Sequence, residues 1–127
     1  MALAATLLRV PPSPRGTRFS RGDAPRWGVA VVRGESMLPT LRAGDRLLVS
    51  YRRKPRPGDL VVARFADCTV AVKRAVERRA TRTAAPGWWL LSDNPDRGVD
   101  SRHRGVVADS DVIAVTVARI WPRPRWW

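Results

Sequence analysis

The sequence predicts one all-β domain, made mostly of antiparallel strands and with little helix. Six short runs rich in aliphatic residues lie between residues 28 and 121, and turn residues separate them. Twice a Gly-Asp pair stands directly before such a run, which is typical of a turn that opens a strand. No segment shows a convincing helical spacing of apolar residues. A chain of 127 residues is long enough for one hydrophobic core and one domain.

The predicted strands, in chain order, cover residues 28–32, 46–51, 60–65, 69–77, 88–91 and 111–121. Gly44-Asp45 opens the second strand and Gly58-Asp59 opens the third. A turn at 66–69 separates the third strand from the fourth, and Pro86-Gly87 precedes the fifth. A polar loop over 92–109 comes before the last strand. The short connections favour antiparallel pairing.

Both ends of the chain are predicted to lie outside this domain, which we place at residues 27–121. Residues 1–26 contain Pro, Ser, Arg and Gly without periodicity and are expected to form a flexible leader. Their apolar start is well short of the roughly 20 residues that span a membrane. The tail 122–127 is expected to be too rich in proline to continue the sheet. Its two tryptophans beside arginine could touch a membrane interface, with a frayed or core-capping end as the alternative.

The chain is strongly basic, with 24 Lys+Arg against 11 Asp+Glu and a formal net charge of +13. Such a charge suits nucleic acid or an anionic membrane surface. However, only Lys54 and Lys73 are lysines, and the arginines are scattered along the whole chain. This spread indicates a general compositional bias rather than a binding patch. We therefore expect no nucleic-acid partner, at most peripheral membrane contact, and a cytoplasmic location, with membrane association as the alternative.

Metal and cofactor chemistry are not expected from this composition. The only histidine is His103, and the only cysteine, Cys68, lies in a predicted turn where a passive role is expected. One His and one Cys cannot supply a metal cage, and the chain has no glycine-rich phosphate loop. A single histidine also leaves little material for a Ser-His-Asp triad.

Ser36 is the first candidate for catalysis. It lies in a loop between Gly34 and Pro39, together with Glu35 and Met37. A glycine-flanked turn can leave a hydroxyl and the neighbouring backbone N–H groups unpaired, as a nucleophile with its own oxyanion hole requires. Taken alone, Ser36 fits an ordinary turn serine equally well.

Lys73 is the second candidate. Side chains alternate along the predicted strand 69–77, which places Lys73 on one face between Ala71 and Ala75. Small apolar neighbours leave little water, and desolvation favours the neutral amine. A neutral amine can take the proton of a serine hydroxyl. The alternative is a solvated lysine on an outward face.

The polar loop 92–109 carries a third group of candidates. Asp and Asn next to Pro favour tight turns, and an Asp and an Arg two residues apart can form an ion pair within one loop. Such a loop can brace a site, although a solvated loop is the alternative. The residues concerned are Asp93, Asn94, Asp100, Ser101 and Arg102.

The order of four motifs resembles that of the signal peptidase I family of serine–lysine proteases. These motifs are, in chain order, Ser36-Met37-Leu38-Pro39-Thr40-Leu41, the two Gly-Asp strands, Lys73-Arg74, and Asp93-Asn94 with Asp100-Ser101-Arg102. The resemblance implies a coiled, mostly antiparallel β domain of the type also found in LexA-like proteins. It also implies a Ser36 nucleophile, a Lys73 general base, and an oxyanion site that includes the Ser36 N–H. The substrate would be a protein bound as an extended, added strand.

Within that family, the stretch 72–79 and the Trp88-Trp89-Leu90-Leu91-Ser92-Asp93-Asn94 segment resemble the maturation proteases of nickel-type superoxide dismutase. The resemblance implies removal of a propeptide from the dismutase precursor, with nickel belonging to the substrate. Three residues depart from the family pattern: Ser92 replaces a glycine, Gly98 replaces a serine that would contact the lysine, and Glu35 precedes the nucleophile. The orientation of Lys73 is therefore not explained by the sequence.

Three other functions stay open at this point. A signal peptidase working at the membrane would use the same residues. A non-catalytic, basic nucleic-acid-binding β domain would use the arginines. A self-cleaving repressor shares the Ser/Lys chemistry, but no DNA-binding helical module is expected before residue 27.

Overall fold

The computed structural model describes residues 5–9 and 26–127, and within them the fold is one nine-stranded sheet. The strands are β1 Ala5–Arg9, β2 Trp27–Val32, β3 Arg46–Ser50, β4 Leu60–Arg64, β5 Val70–Ala80, β6 Pro86–Leu91, β7 Val107–Ala108, β8 Val112–Trp121 and β9 Arg125–Trp126. Their order is β1-β2-β3-β8-β4-β5-β6-β7, and β9 pairs with β8. Every pairing is antiparallel. The all-β prediction is thus confirmed.

The two Gly-Asp turns are built alike and explain why β3 and β4 begin where they do. Gly44 and Gly58 both have φ of +93°, a conformation that favours glycine. In each turn the following carboxylate accepts a backbone N–H from three residues before it, from Arg42 to Asp45 at 2.9 Å and from Arg56 to Asp59 at 2.8 Å. The turns therefore close on themselves before the apolar runs start.

Both faces of the sheet carry a buried cluster. One is formed by residues from β2, β3, β4, β5, β8 and the Ser36 loop, and it includes Ala30, Met37, Leu47, Val62 and Val72. A second cluster on the other face includes Val61, Ala71, Ala75, Leu90 and Val115. Register shifts between β3 and β8, β4 and β8, and β5 and β6 mark bulges, which increase the local twist. β5 therefore passes between two cores.

Several short elements of the structure were not predicted from the sequence. α1 covers Ser101–Arg104, a 3₁₀ turn covers Asp109–Asp111, and β7 has two residues. The prediction that the tail 122–127 leaves the sheet is wrong. The chain reverses after Trp121 and Arg125–Trp126 pairs with residues 118–119 of β8, because a proline-containing turn allows two further residues to add as an edge strand.

Part of the predicted leader is a strand. Residues 5–9 form β1, which pairs with β2 from Ala5↔Val32 to Arg9↔Gly28 and also contacts β5. The rest of the predicted leader, residues 1–4 and 10–25, lies outside the described residues. In the described part, no helix has the length and apolarity to cross a bilayer.

Candidate active site

Ser36 lies in the loop that follows β2 and is fixed there by its neighbours. Gly34 turns the chain with φ of +74°. Two backbone bonds then close the loop, from Leu38 N to Glu35 O at 3.2 Å and from Leu41 N to Met37 O at 2.9 Å. Met37 is 2% exposed and belongs to the core, whereas Glu35 and Pro39 are exposed. The loop thus anchors one side of the serine in the core.

Lys73 comes from the middle of β5 and is almost completely buried, with 1% of its surface exposed. Ala71 and Ala75 are buried on the same face, at 2% and 0% exposure. The Lys73 Nζ donates a 2.8 Å hydrogen bond to Ser36 Oγ. The structure therefore joins the two candidates that are 37 residues apart in sequence.

The environment of Lys73 favours its neutral form. Burial lowers the pKa of the amine from 10.5 to about 8, because an ammonium loses its hydration there. The carboxylates of Asp100 and Asp93 act in the opposite direction but do not outweigh burial. Lys73 can therefore act as a base at mildly alkaline pH.

Asp93 is held by two donors, Thr40 and Arg74, which were not among the predicted site residues. Arg74 binds both of its carboxylate oxygens, at 3.1 and 2.7 Å, and Thr40 Oγ1 donates to Oδ2 at 2.6 Å. Burial opposes ionisation, yet these hydrogen bonds keep the pKa of Asp93 below its usual value. Both residues could have been identified from the sequence, because Thr40 and Arg74 lie inside the segments that resemble the signal peptidase I family.

Asp100 is fully buried and organises the end of the polar loop. Its carboxylate accepts hydrogen bonds from Ser92 N at 2.9 Å and from Arg102 N and side chain at 3.0 Å. Burial would raise the pKa of Asp100, but these bonds lower it to about 2. Asp100 also caps α1, and Ser101 Oγ accepts the backbone N–H of Leu90 at 2.9 Å. The loop is thereby attached to β6.

Asn94 links this loop to the Ser36 loop. Its backbone N–H donates to Ser36 O at 2.9 Å, and its side-chain amide donates to Glu35 O at 3.2 Å. The Glu35 carboxylate points to solvent and lies 3.8 Å from Arg97. Of the five predicted bracing residues, Asp93 and Asn94 thus contact the Ser36 loop. Asp100, Ser101 and Arg102 instead bond within the polar loop and to β6.

Gly98 packs directly against Ser36 and Lys73, the pair that we refer to as the dyad. A Cβ at this position would lie 2.4 Å from Ser36 Cβ and 3.4 Å from Lys73 Nζ, and φ is +83°. Backbone, rather than a side chain, therefore covers the dyad at this point.

Other candidate chemistry lies away from the dyad or has a local role. His103 accepts the Asp100 N–H at 3.4 Å as part of the α1 cap, and Cys68 is exposed in its turn with φ of +67°. In residues 5–9 and 26–127 no group of three or more His, Cys, Asp or Glu is placed to hold a metal ion. A cavity of about 550 Å³ is lined by residues 51–55, Arg78, Trp88, Asp109 and residues 112–115, so it contains neither dyad residue.

Comparison with known proteins finds similarity to peptidases. The family described as Peptidase S24-like matches residues 18–117. The mitochondrial inner membrane protease subunit 1 of Schizosaccharomyces pombe is 29% identical over 119 residues. That alignment covers 77% of this chain and 76% of the yeast protein. The family match includes the Ser36 loop and β5.

Proposed function

The chain belongs to the Peptidase S24-like family, and from that premise we propose that it is a serine endopeptidase with Ser36 as nucleophile and Lys73 as general base. The observation that carries the proposal is the 2.8 Å contact between Lys73 Nζ and Ser36 Oγ at a lysine that is 1% exposed. A buried amine with a pKa of about 8 is neutral often enough near neutral pH to accept a proton.

The reaction follows from these two side chains. Neutral Lys73 takes the Ser36 hydroxyl proton while Oγ attacks the scissile carbonyl carbon, and the Ser36 backbone N–H stabilises the oxyanion. The carbon–nitrogen bond then breaks, and the Lys73 ammonium returns its proton to the leaving amine. Lys73 next deprotonates a water, which attacks the Ser36 ester. The acid product leaves and Ser36 regains its proton.

We propose that the substrate is a precursor protein from which a propeptide is removed, with nickel-type superoxide dismutase as the leading candidate. The support is the resemblance of residues 72–79 and 88–94 to the maturation proteases of that enzyme. The substrate would bind in extended form along a strand edge near the dyad. β1 now pairs with the edge of β2 that leads to Ser36 and also contacts β5, so a peptide using that edge must displace β1.

Co-expression with a nickel-type dismutase precursor tests both levels of the proposal. The wild type should release one propeptide, identified by N-terminal sequencing, and Ser36→Ala and Lys73→Ala should each abolish release. Ser110→Ala and Lys54→Ala are matched controls, because both residues are exposed, and both variants should cleave normally. Full cleavage by Lys73→Ala would refute the mechanism. No cleavage of this precursor by the wild type, together with cleavage of other peptides, would refute the substrate alone.

The pH profile gives a second test of Lys73 as the base. A group with a pKa of about 8 is neutral in about 9% of molecules at pH 7 and about 91% at pH 9. The value of kcat/KM should therefore rise about tenfold between these pH values. A flat profile would contradict the role of Lys73.

A second candidate, a peptidase that works at a membrane surface, is favoured by three exposed tryptophans. Trp121, Trp126 and Trp127 are 59%, 74% and 37% exposed on the β8–β9 hairpin, next to Arg123 and Arg125. Tryptophan and arginine suit the interface of an anionic bilayer, and the yeast relative is named as an inner membrane protease. Sedimentation with anionic vesicles should leave a cytoplasmic enzyme in the supernatant. Binding that is lost in Trp126→Ala would support the membrane function and a membrane-associated location instead.

A further inference from the structure

Lys73 has fewer hydrogen-bond partners than its chemistry requires. Among the described residues, its Nζ makes one hydrogen bond, to Ser36 Oγ. As a base, the amine must point its single lone pair at the Ser36 hydroxyl, and both remaining N–H groups then face other directions. An N–H held by an acceptor fixes the rotation of the amine, whereas an unheld amine points its lone pair at Ser36 only part of the time.

Gly98 does not supply this acceptor from a side chain. Its backbone comes within van der Waals range of the dyad, and any Cβ there would collide with Ser36. The positive φ of +83° further restricts this position to glycine. A side-chain partner for Lys73 must come from elsewhere.

Ser92 lies where such a partner is needed. β5 and β6 pair through Ala75↔Leu90 and Arg74↔Leu91, where β6 ends. The same register, continued by one residue beyond the strand, places Ser92 opposite Lys73. Leu90 and Ala75 share one buried cluster, and residues two apart on a strand face the same side. Ser92 therefore projects toward the face that carries Lys73. Its backbone N–H is fixed on Asp100 at 2.9 Å.

The Ser92 hydroxyl is itself in need of a partner. Ser92 is 8% exposed, and its Oγ is buried without a hydrogen bond in the described part of the chain. A buried hydroxyl without a partner is costly, so its presence calls for an explanation. Within residues 5–9 and 26–127, Lys73 Nζ thus has N–H donors without acceptors, and Ser92 Oγ can accept a hydrogen bond but has no donor.

We propose that Ser92 is a positioning residue, whose hydroxyl accepts a hydrogen bond from Lys73 Nζ and turns the amine lone pair toward Ser36. The inference rests on the proposed function only for the use of Lys73 as a base. It gives a role to Ser92 at the position where the resemblance implies a glycine.

The charges around Lys73 determine in which direction its pKa should move when the Ser92 hydroxyl is removed. The carboxylates near it are Asp93 and Asp100, each bound to an arginine, and both stay ionised above pH 4. An acceptor hydroxyl stabilises the ammonium more than the amine, because hydrogen bonds to charged groups are stronger. Removal of the Ser92 hydroxyl should therefore lower the pH at which Lys73 titrates.

Lysine-specific ¹³Cε NMR tests this directly, because the chain has only two lysines. Exposed Lys54 supplies an internal reference signal. In Ser92→Ala the midpoint of the Lys73 titration should move to lower pH by about half to one pH unit, and Ser92→Thr, which keeps a hydroxyl, should restore it. Thr116→Val is the matched control. Thr116 Oγ1 is also buried and has no partner among the residues that the structure describes, but it lies on β8, which is separated from β5 by β4.

The same variants give a kinetic readout. Ser92→Ala should lower the plateau of kcat about tenfold or more and move the acid limb of the profile to lower pH, with KM little changed. An unmoved Lys73 titration in a folded Ser92→Ala protein would overturn the proposal, as would an equal shift in Thr116→Val. This NMR result does not depend on peptidase activity. Failure of the proposed function would instead appear as cleavage that survives Ser36→Ala.

Discussion

Replacing Lys73 by methionine tests the burial of its charge without any substrate. Methionine has a similar length and no charge, so it keeps much of the packing around Ala71 and Ala75. In the folded protein the pKa of Lys73 is about 8, against a reference of 10.5. Because the folded value is the lower one, the unfolded chain binds more protons between these pH values. The wild type is therefore fully stabilised above pH 10.5, loses stability progressively as the pH falls from 10.5 to about 8, and keeps the full loss below that.

The magnitude follows from the size of the shift. A difference of 2.5 between 10.5 and about 8 corresponds to about 3 kcal/mol of unfolding free energy at pH 7. Most of it, about 2 to 3 kcal/mol, should have returned by pH 10. Lys73→Met does not pay this penalty, so its stability relative to the wild type should be greater at pH 7 than at pH 10 by that amount. Other titrating groups are common to both proteins and cancel.

Urea unfolding of both proteins at pH 7 and pH 10 measures how the difference in unfolding free energy between Lys73→Met and the wild type changes with pH. Lys54→Met is the control, because Lys54 is exposed, and its stability relative to the wild type should not change with pH. An equal offset between wild type and Lys73→Met at both pH values would refute the reasoning. Such a result would mean that the Lys73 ammonium is as well stabilised in the fold as in water.

Three further outcomes are expected. Gly98→Ala should reduce turnover about a hundredfold, because the added Cβ would displace Ser36. Gly105 has a similar φ of +84° but open space around it, so the control variant Gly105→Ala should retain turnover. Asp100→Asn should lower the unfolding free energy by about 2 kcal/mol at pH 7. This loss should shrink below pH 4, because the wild-type carboxylate, with a pKa of about 2, then approaches protonation. A loss of the same size at pH 2.5 would contradict this role of the Asp100 charge. Leu7→Pro should raise kcat/KM for an extended peptide several-fold, because proline weakens the pairing of β1 with β2, whereas Leu7→Ala keeps the N–H and should not.

The strands were predictable because their starts are set by local chemistry. Gly44 and Gly58 turn the chain in the same way, and the observed β3 and β4 begin at Arg46 and Leu60, the residues predicted. The alternation along residues 69–77 also placed Lys73 on its alanine-lined face, which the structure confirms as buried. The two-residue strands β7 and β9 and the four-residue α1 were not predictable, because so few residues carry no period.

The partners of the site were harder to predict than its chemistry. The types of residue indicated a Ser/Lys pair, but their 2.8 Å contact depends on how the loop after β2 meets β5, two strands that are not neighbours in the sheet. Thr40 binds Asp93 across 53 residues of sequence. Ser92 differed from the family pattern without indicating why, since its position opposite Lys73 appears only once β5 and β6 are in register.

The two arginines in the site explain how a lysine beside two carboxylates can still be a base. Unpaired, Asp93 and Asp100 would hold a nearby ammonium in its charged form. Arg74 and Arg102 bind these carboxylates in bidentate fashion, so most of the negative charge near Lys73 is already balanced by a cation that does not titrate. Desolvation of Lys73 then dominates, and its pKa falls to about 8. Both carboxylates of the polar loop are thus held in ion pairs with arginines, which leaves the Lys73 amine able to accept a proton.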